Sequence, residues 1–145
     1  MKCRFHDFDE YSTLESPVIE FHCSQKDLEI PFGGKSNKSQ LVVHAPEIFD
    51  RKLVDICSNQ KEIVNGSIEI LQKAIDKTLQ LSKNFPKKKP KFVVHLGGMS
   101  LDHVTGKKSV DLMMERSVDN FKKLKYNPDD IEILPENLPP RPWYL

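Results

Sequence analysis

The chain predicts a parallel α/β fold of the (β/α) barrel type, with about half of a barrel present in its 145 residues. Three observations predict it. Short β-branched apolar runs alternate with helical patterns, the arrangement that builds a parallel sheet with crossover helices. Each run closes on a histidine or glutamate, as expected where chemistry collects at the C-terminal ends of barrel strands. No G-x-G-x-x-G turn follows an early strand, as an open dinucleotide-binding sheet would require. The Phe32-Gly33-Gly34-Lys35 stretch does not match that turn and reads as a flexible loop.

The elements follow in order. Pro17-Val-Ile-Glu-Phe-His22 is the first apolar run with a polar end, and Leu41-Val-Val-His44 repeats it. The next helical pattern starts from Ile68, with Leu71, Ala74, Ile75, Thr78 and Leu79 on one face. Glu69 and Lys73 stand four apart and pair on its surface. Pro86 ends the pattern, since proline cannot continue a helix. Phe92-Val-Val-His95 is the third run. The two Val-Val-His segments lack polar alternation, which predicts cover on both faces. A second helical stripe, Val110, Met114, Val118, Phe121 and Leu124, follows Ser109 as N-cap and stops at Asn127-Pro128. Met113 and Met114 are read as core or interface packing, not as metal ligands. Ile131-Glu-Ile-Leu-Pro-Glu136 is the fourth run. The strands thus lie near 17–22, 41–44, 92–95 and 131–136, in one partial TIM-barrel domain over 1–145.

Composition narrows the function. Apolar residues make up 38% and charged residues 30%, with a mean hydropathy of −0.50, an ordinary soluble balance. No apolar run approaches the ~20 residues of a membrane span, and the N-terminus has no signal-peptide core, so a cytoplasmic location is expected. Lys plus Arg number 22 against 21 Asp plus Glu, which leaves no basic surplus for nucleic acid. The basic run Lys87-Lys88-Lys89-Pro90-Lys91 reads as a solvated loop. Cys3, Cys23 and Cys57 form no C-x-x-C pair and read as buried, reduced thiols.

His44, His95 and Glu136 occupy equivalent positions at the ends of their strands. Parallel strands in register would bring them to one rim. Two imidazoles and a carboxylate suit Zn²⁺, and also Mn²⁺ or Fe²⁺, so a divalent-metal site is expected.

Val43-His44-Ala45-Pro46, Val94-His95-Leu96-Gly97 and Pro135-Glu136-Asn137 resemble three successive strand ends of the xylose isomerase-like barrels, a superfamily of sugar isomerases and epimerases and of endonuclease IV-type abasic-site nucleases. The resemblance runs from about Pro17 to the C-terminus and makes Val18-to-His22 the second barrel strand. It implies one to three divalent metals at the C-terminal rim, with His44, His95 and Glu136 as ligands. Two departures stand out. Endonuclease IV-type proteins carry tyrosine after H-A-P, where this chain has Glu47, and an acidic residue would repel phosphate. The family's remaining ligands come from strands six to eight, whereas this sequence stops just past strand five, at Arg141-Pro-Trp-Tyr-Leu145.

The resemblance implies a metal-dependent sugar or sugar-phosphate isomerase or epimerase. Glu136 is the candidate catalytic residue, acting as a ligand. His22, Glu47 and Arg141 are candidate substrate contacts, although a strand-end histidine or a rigid surface loop would also account for His22 and Arg141. A second carboxylate is expected from later strands, with Glu20 and Glu47 as candidates on hand. Gly97-Gly98 would let backbone approach a ligand, or would simply turn the chain. The alternatives are an abasic-DNA phosphodiesterase and a non-catalytic half-barrel that associates as a homo-oligomer through its open edges, with Trp143, Tyr144 and Leu145 packing there.

Overall fold

The computed structural model describes residues 1–8, 16–85, 88–100 and 104–138. They form a mixed α/β unit with seven strands and two α-helices: β1 (Lys2–Cys3), β2 (Val18–His22), β3 (Gln40–His44), β4 (Ile48–Phe49), β5 (Lys52–Leu53), α1 (Lys61–Ser82), β6 (Lys91–Val94), α2 (Lys107–Phe121) and β7 (Glu132–Pro135). Five strands make one sheet in the order β1-β2-β3-β6-β7, every neighbouring pair parallel. The order never reverses along the chain. It is the order a barrel also uses, but what the described residues form is a five-stranded parallel sheet with two helices, not a closed barrel.

Each anticipated strand exists, shifted by a residue or so. β6 ends at Val94 and β7 at Pro135, so His95 and Glu136 stand one residue beyond their strands. The short β1 and the β4–β5 hairpin have no counterpart in the sequence reading. Their two-residue length leaves too little periodicity to detect. The hairpin turns on Asp50 and Arg51, both in the left-handed region at φ 45° and 64°, without the Asn-Gly or Asp-Gly pair that marks such turns.

Side-chain alternation gives the sheet two unlike faces. Ile19, Phe21, Leu41, Val43, Phe92 and Val94 are fully or almost fully buried and share one core cluster with Ile70, Leu71, Ala74, Ile75 and Leu81. Phe21 lies at its aromatic centre, within 6.1 Å of the rings of Phe5, Phe8, Phe32 and Phe85. The opposite face carries Glu20, His22, Val42, His44, Lys91 and Val93, and here Val42 and Val93 are only half-buried. The Val-Val-His segments are therefore covered on one face by helices and left partly open on the other. The even hydrophobicity of two valines could not distinguish these faces.

α1 begins at Lys61, seven residues before the predicted stripe, and ends at Ser82 as Pro86 demands. Glu69 and Lys73 pair at 2.8 Å. The second helix corrects the sequence reading twice. Its N-cap is Gly106, and Ser109 lies inside the first turn, with its N–H donating to the Gly106 carbonyl. Of the predicted stripe, Leu124 is in the core and Phe121 packs against it, but Met114 is 51% and Val118 52% exposed, while the buried positions within the helix are Ser117 and Asn120. Hydrogen bonds rotate the helix this way. Asn120 Nδ2 donates to the Ile56 carbonyl at 2.7 Å, and Arg116 Nε donates to the Cys57 carbonyl at 2.7 Å. These two bonds satisfy carbonyls that burial would otherwise leave without a partner. Met113 packs against the core, and Met114 does not.

The three cysteines are free and buried. Burial, aided by the nearby Asp27 carboxylate, pushes the Cys23 thiol up to about 12. Burial and Asp55 raise Cys57 further still. Both stay protonated, and the thiolate is the reactive form. A disulfide-exchange reagent should therefore label the native protein slowly and all three thiols together on unfolding. Labelling of any one within the mixing time, under native conditions, would contradict the burial. Among the described residues no helix is long and apolar enough to cross a membrane.

Candidate metal centre

Register brings the rim residues together. His22 and His44 are direct partners across β2 and β3, and His44 is the partner of Val93 across β3 and β6. His95, two residues after Val93, emerges on the same face as His44. The ladder continues past the strand ends: Ala45 N–H donates to the Val93 carbonyl at 2.8 Å, and Glu136 N–H to the Val94 carbonyl at 3.0 Å. These bonds fix the backbone on either side of the site.

The side chains then converge. His44 Nε2 lies 3.3 Å and His95 Nε2 3.0 Å from the same oxygen, Glu136 Oε2. Glu47 Oε1 is 3.6 Å from His95 Nδ1. Ligand atoms of His44, Glu47 and His95 all fall within 4.8 Å of one another, a group that could hold a metal ion. Both imidazoles are anchored, with His44 buried and His95 nearly so, while the two carboxylates sit on the open rim. His22 stacks flat on His44, with ring centroids 4.6 Å apart, and His95 meets His44 edge-on at 4.8 Å.

The donor set fits a divalent cation. His44 Nδ1 faces the Ala45 carbonyl at 3.0 Å. That carbonyl can only accept, so Nδ1 carries the hydrogen. In the neutral ring, Nε2 then turns a lone pair toward a carboxylate oxygen, and two acceptors face each other unless a positive charge lies between them. A proton or a metal ion meets the need. In a tetrahedral site with bonds of 2.0–2.1 Å, ligand atoms stand about 3.3 Å apart, close to the separations here. The hydrogen bond from His95, with a smaller one from His44, holds the Glu136 carboxyl below the usual carboxylate range, so it is an anion near neutrality.

The predicted residues divide as follows. His44, His95, Glu136 and Glu47 are brought together. His22 lies beside them, its Nε2 at 2.8 Å from Glu20 Oε1, and lines a cleft of about 200 Å³ with Arg4, Cys23, Ser24, His44 and Glu47. Glu20 is occupied by His22 and, at 3.7 Å, by Lys2. Arg141, Trp143, Tyr144 and Leu145 lie outside the described residues. Sequence reasoning missed Arg4, whose guanidinium donates to the His22 carbonyl at 2.5 Å. Its only signal was a place just after an unrecognised two-residue strand.

Gly97 and Gly98 turn the chain after β6. They have φ of 99° and 79°, and Gly97 packs against Asp55, whose Oδ1 accepts from the N–H groups of Cys57 at 2.8 Å and Gly98 at 3.1 Å. A Cβ on Gly97 would stand 2.2 Å from Asp55 Oδ1 and 2.6 Å from its Cα. Gly97→Ala should therefore cost roughly 1–3 kcal/mol in denaturant unfolding, from backbone strain as well as the clash. Wild-type stability in that variant would contradict the close packing of Gly97 on Asp55.

The chain matches no protein-family model, no curated protein and no solved structure.

Proposed function

We propose that this chain forms the metal-binding rim of a divalent-metal-dependent enzyme that isomerises or epimerises a sugar or sugar phosphate. The observation that carries the reading is the convergence of His44 Nε2 and His95 Nε2 on Glu136 Oε2, with His44 held through Ala45 in the tautomer that leaves a free lone pair on Nε2. His44, His95 and Glu136 are the ligands. When bound, the ion supplies a Lewis acid for a carbonyl or hydroxyl oxygen. The neighbouring cleft is lined by Arg4, His22 and Ser24, groups suited to the hydroxyl and anionic substituents of a sugar. His22 is the substrate contact closest to the metal, held upright by Glu20 and by its stack on His44. The resemblance to xylose isomerase-like barrels supports the same class and adds no residue beyond these.

The test is deuterium wash-in from solvent, followed by NMR, over a panel of sugars and sugar phosphates, with Zn²⁺ or Mn²⁺ and after chelation. Metal-dependent exchange at the carbon beside the carbonyl is expected. Metal-dependent cleavage of an abasic duplex, without sugar exchange, would instead favour the phosphodiesterase. Neither activity from the metal-loaded chain would remove the enzyme reading.

A further inference from the structure

Glu47 stands where the resembled nucleases carry tyrosine, and its carboxylate reaches His95 from the side opposite Glu136. Glu136 Oε2 meets His95 at Nε2, 3.0 Å away, whereas Glu47 Oε1 meets it at Nδ1, 3.6 Å away. The two ring nitrogens of one imidazole point in divergent directions, so a single ion cannot be bound through both. His44 decides which side the ion takes. Its Nδ1 is committed to the Ala45 carbonyl, and its Nε2 faces Glu136 Oε2. An ion bound through both Nε2 atoms lies beside Glu136, which leaves the Glu47 carboxylate at Nδ1 of His95.

We propose that Glu47 is a positioning residue: its carboxylate accepts the Nδ1–H of His95 and so presents Nε2 to the metal. The inference rests on the metal-centre reading above and assigns Glu47 to that centre, not to substrate. Each histidine then has its own acceptor behind it, a backbone carbonyl for His44 and a carboxylate for His95, and a metal-bound histidine characteristically needs such a partner. The backbone is built to hold Glu47 there. Its carbonyl accepts from Val54 N–H at 2.8 Å, closing the β4–β5 hairpin. The hairpin is pinned in turn by Asp50, which exchanges two 2.9 Å hydrogen bonds with the Gln25 side chain, and by Phe49, packed so closely on Gly66 that a Cβ there would meet its ring at 2.3 Å. The Glu47 side chain itself is exposed, so a small torsional adjustment brings 3.6 Å to hydrogen-bond length.

The experiment compares Glu47→Gln and Glu47→Ala with the wild type by two readouts. Imidazole ¹⁵N shifts, read with and without Zn²⁺, report whether His95 Nδ1 carries a hydrogen, and chelator competition reports the Zn²⁺ affinity. The Gln side chain keeps an oxygen acceptor, whereas Ala removes it. Wild type and Glu47→Gln should both show the Nδ1–H tautomer and bind Zn²⁺ within a few-fold of each other. Glu47→Ala should lose that tautomer preference and bind about 10–100-fold more weakly, still at one ion per chain. Equal, severe losses in Gln and Ala would make Glu47 a direct ligand and overturn the proposal, as would wild-type behaviour of Glu47→Ala in both readouts. A wild type that shows the tautomer but binds no Zn²⁺ would fail the metal reading while leaving the positioning role intact. Thermal unfolding checks that both variants fold.

Discussion

Glu136→Ala should lower Zn²⁺ affinity by at least ~100-fold, roughly the 3 kcal/mol share that one donor carries in a four-ligand zinc site. The same loss is expected of His44→Ala and His95→Ala. Both Nε2 positions face Glu136 Oε2, at 3.3 and 3.0 Å. Removing it leaves two imidazoles with no anion between them, and removing either imidazole leaves a single nitrogen with a carboxylate. Titration calorimetry with Zn²⁺ and Mn²⁺ measures the effect. Thermal unfolding gives an independent measure, because an ion bound only by the native state stabilises it by about 2.7 kcal/mol at a hundredfold excess over Kd. The wild type should show that increment and the variants should not. Unchanged stoichiometry and affinity in all three variants would remove the site assignment, whatever the fate of the activity assays.

Phe21→Ala should carry the largest cost to stability, about 3–5 kcal/mol. Phe21 is fully buried in β2, on the core face of the sheet, and its ring meets those of Phe5, Phe8, Phe32 and Phe85. Four aromatic neighbours, two from the start of the chain and two from separate loops, cannot all collapse into the space it leaves, so both the transfer and the cavity contributions apply. A loss of this size is a large fraction of the 5–15 kcal/mol typical of a domain, and should lower the melting temperature by roughly 10 °C or more. Ile48→Ala is the control: at 54% exposure it should change stability by no more than about 0.5 kcal/mol. Equal effects of the two substitutions would mean that the aromatic cluster is not the core of this protein.

Neither prediction depends on which substrate is bound. The first tests the open face of the sheet, the second its covered face, and register assigns each strand residue to one or the other. A one-residue slip of β3 against β6 would move His44 from beside His95 into the helix-covered core and unmake both. The hydrophobic demand for Leu41, Val43, Phe92 and Val94 on one face therefore also keeps the histidines on the other.

The amino-acid sequence determined the parallel α/β class, the positions of four of the sheet strands to within a residue or so, and the three rim residues His44, His95 and Glu136. It could do so because β-branched runs with polar ends are local patterns, and because equivalent positions on parallel strands become neighbours once register is assumed. The tertiary structure alone decided the rest. It turned α2 so that Ser117 and Asn120 face inward and Met114 and Val118 outward, since the carbonyls of Ile56 and Cys57 lie 64 and 59 residues away from the side chains that cap them. It set Gly97 against Asp55 and brought Glu47 behind His95, on a hairpin whose left-handed Asp50 and Arg51 have no sequence signature. Contacts of that kind join groups distant in sequence through hydrogen bonds and close packing, and periodicity along the chain holds no record of them.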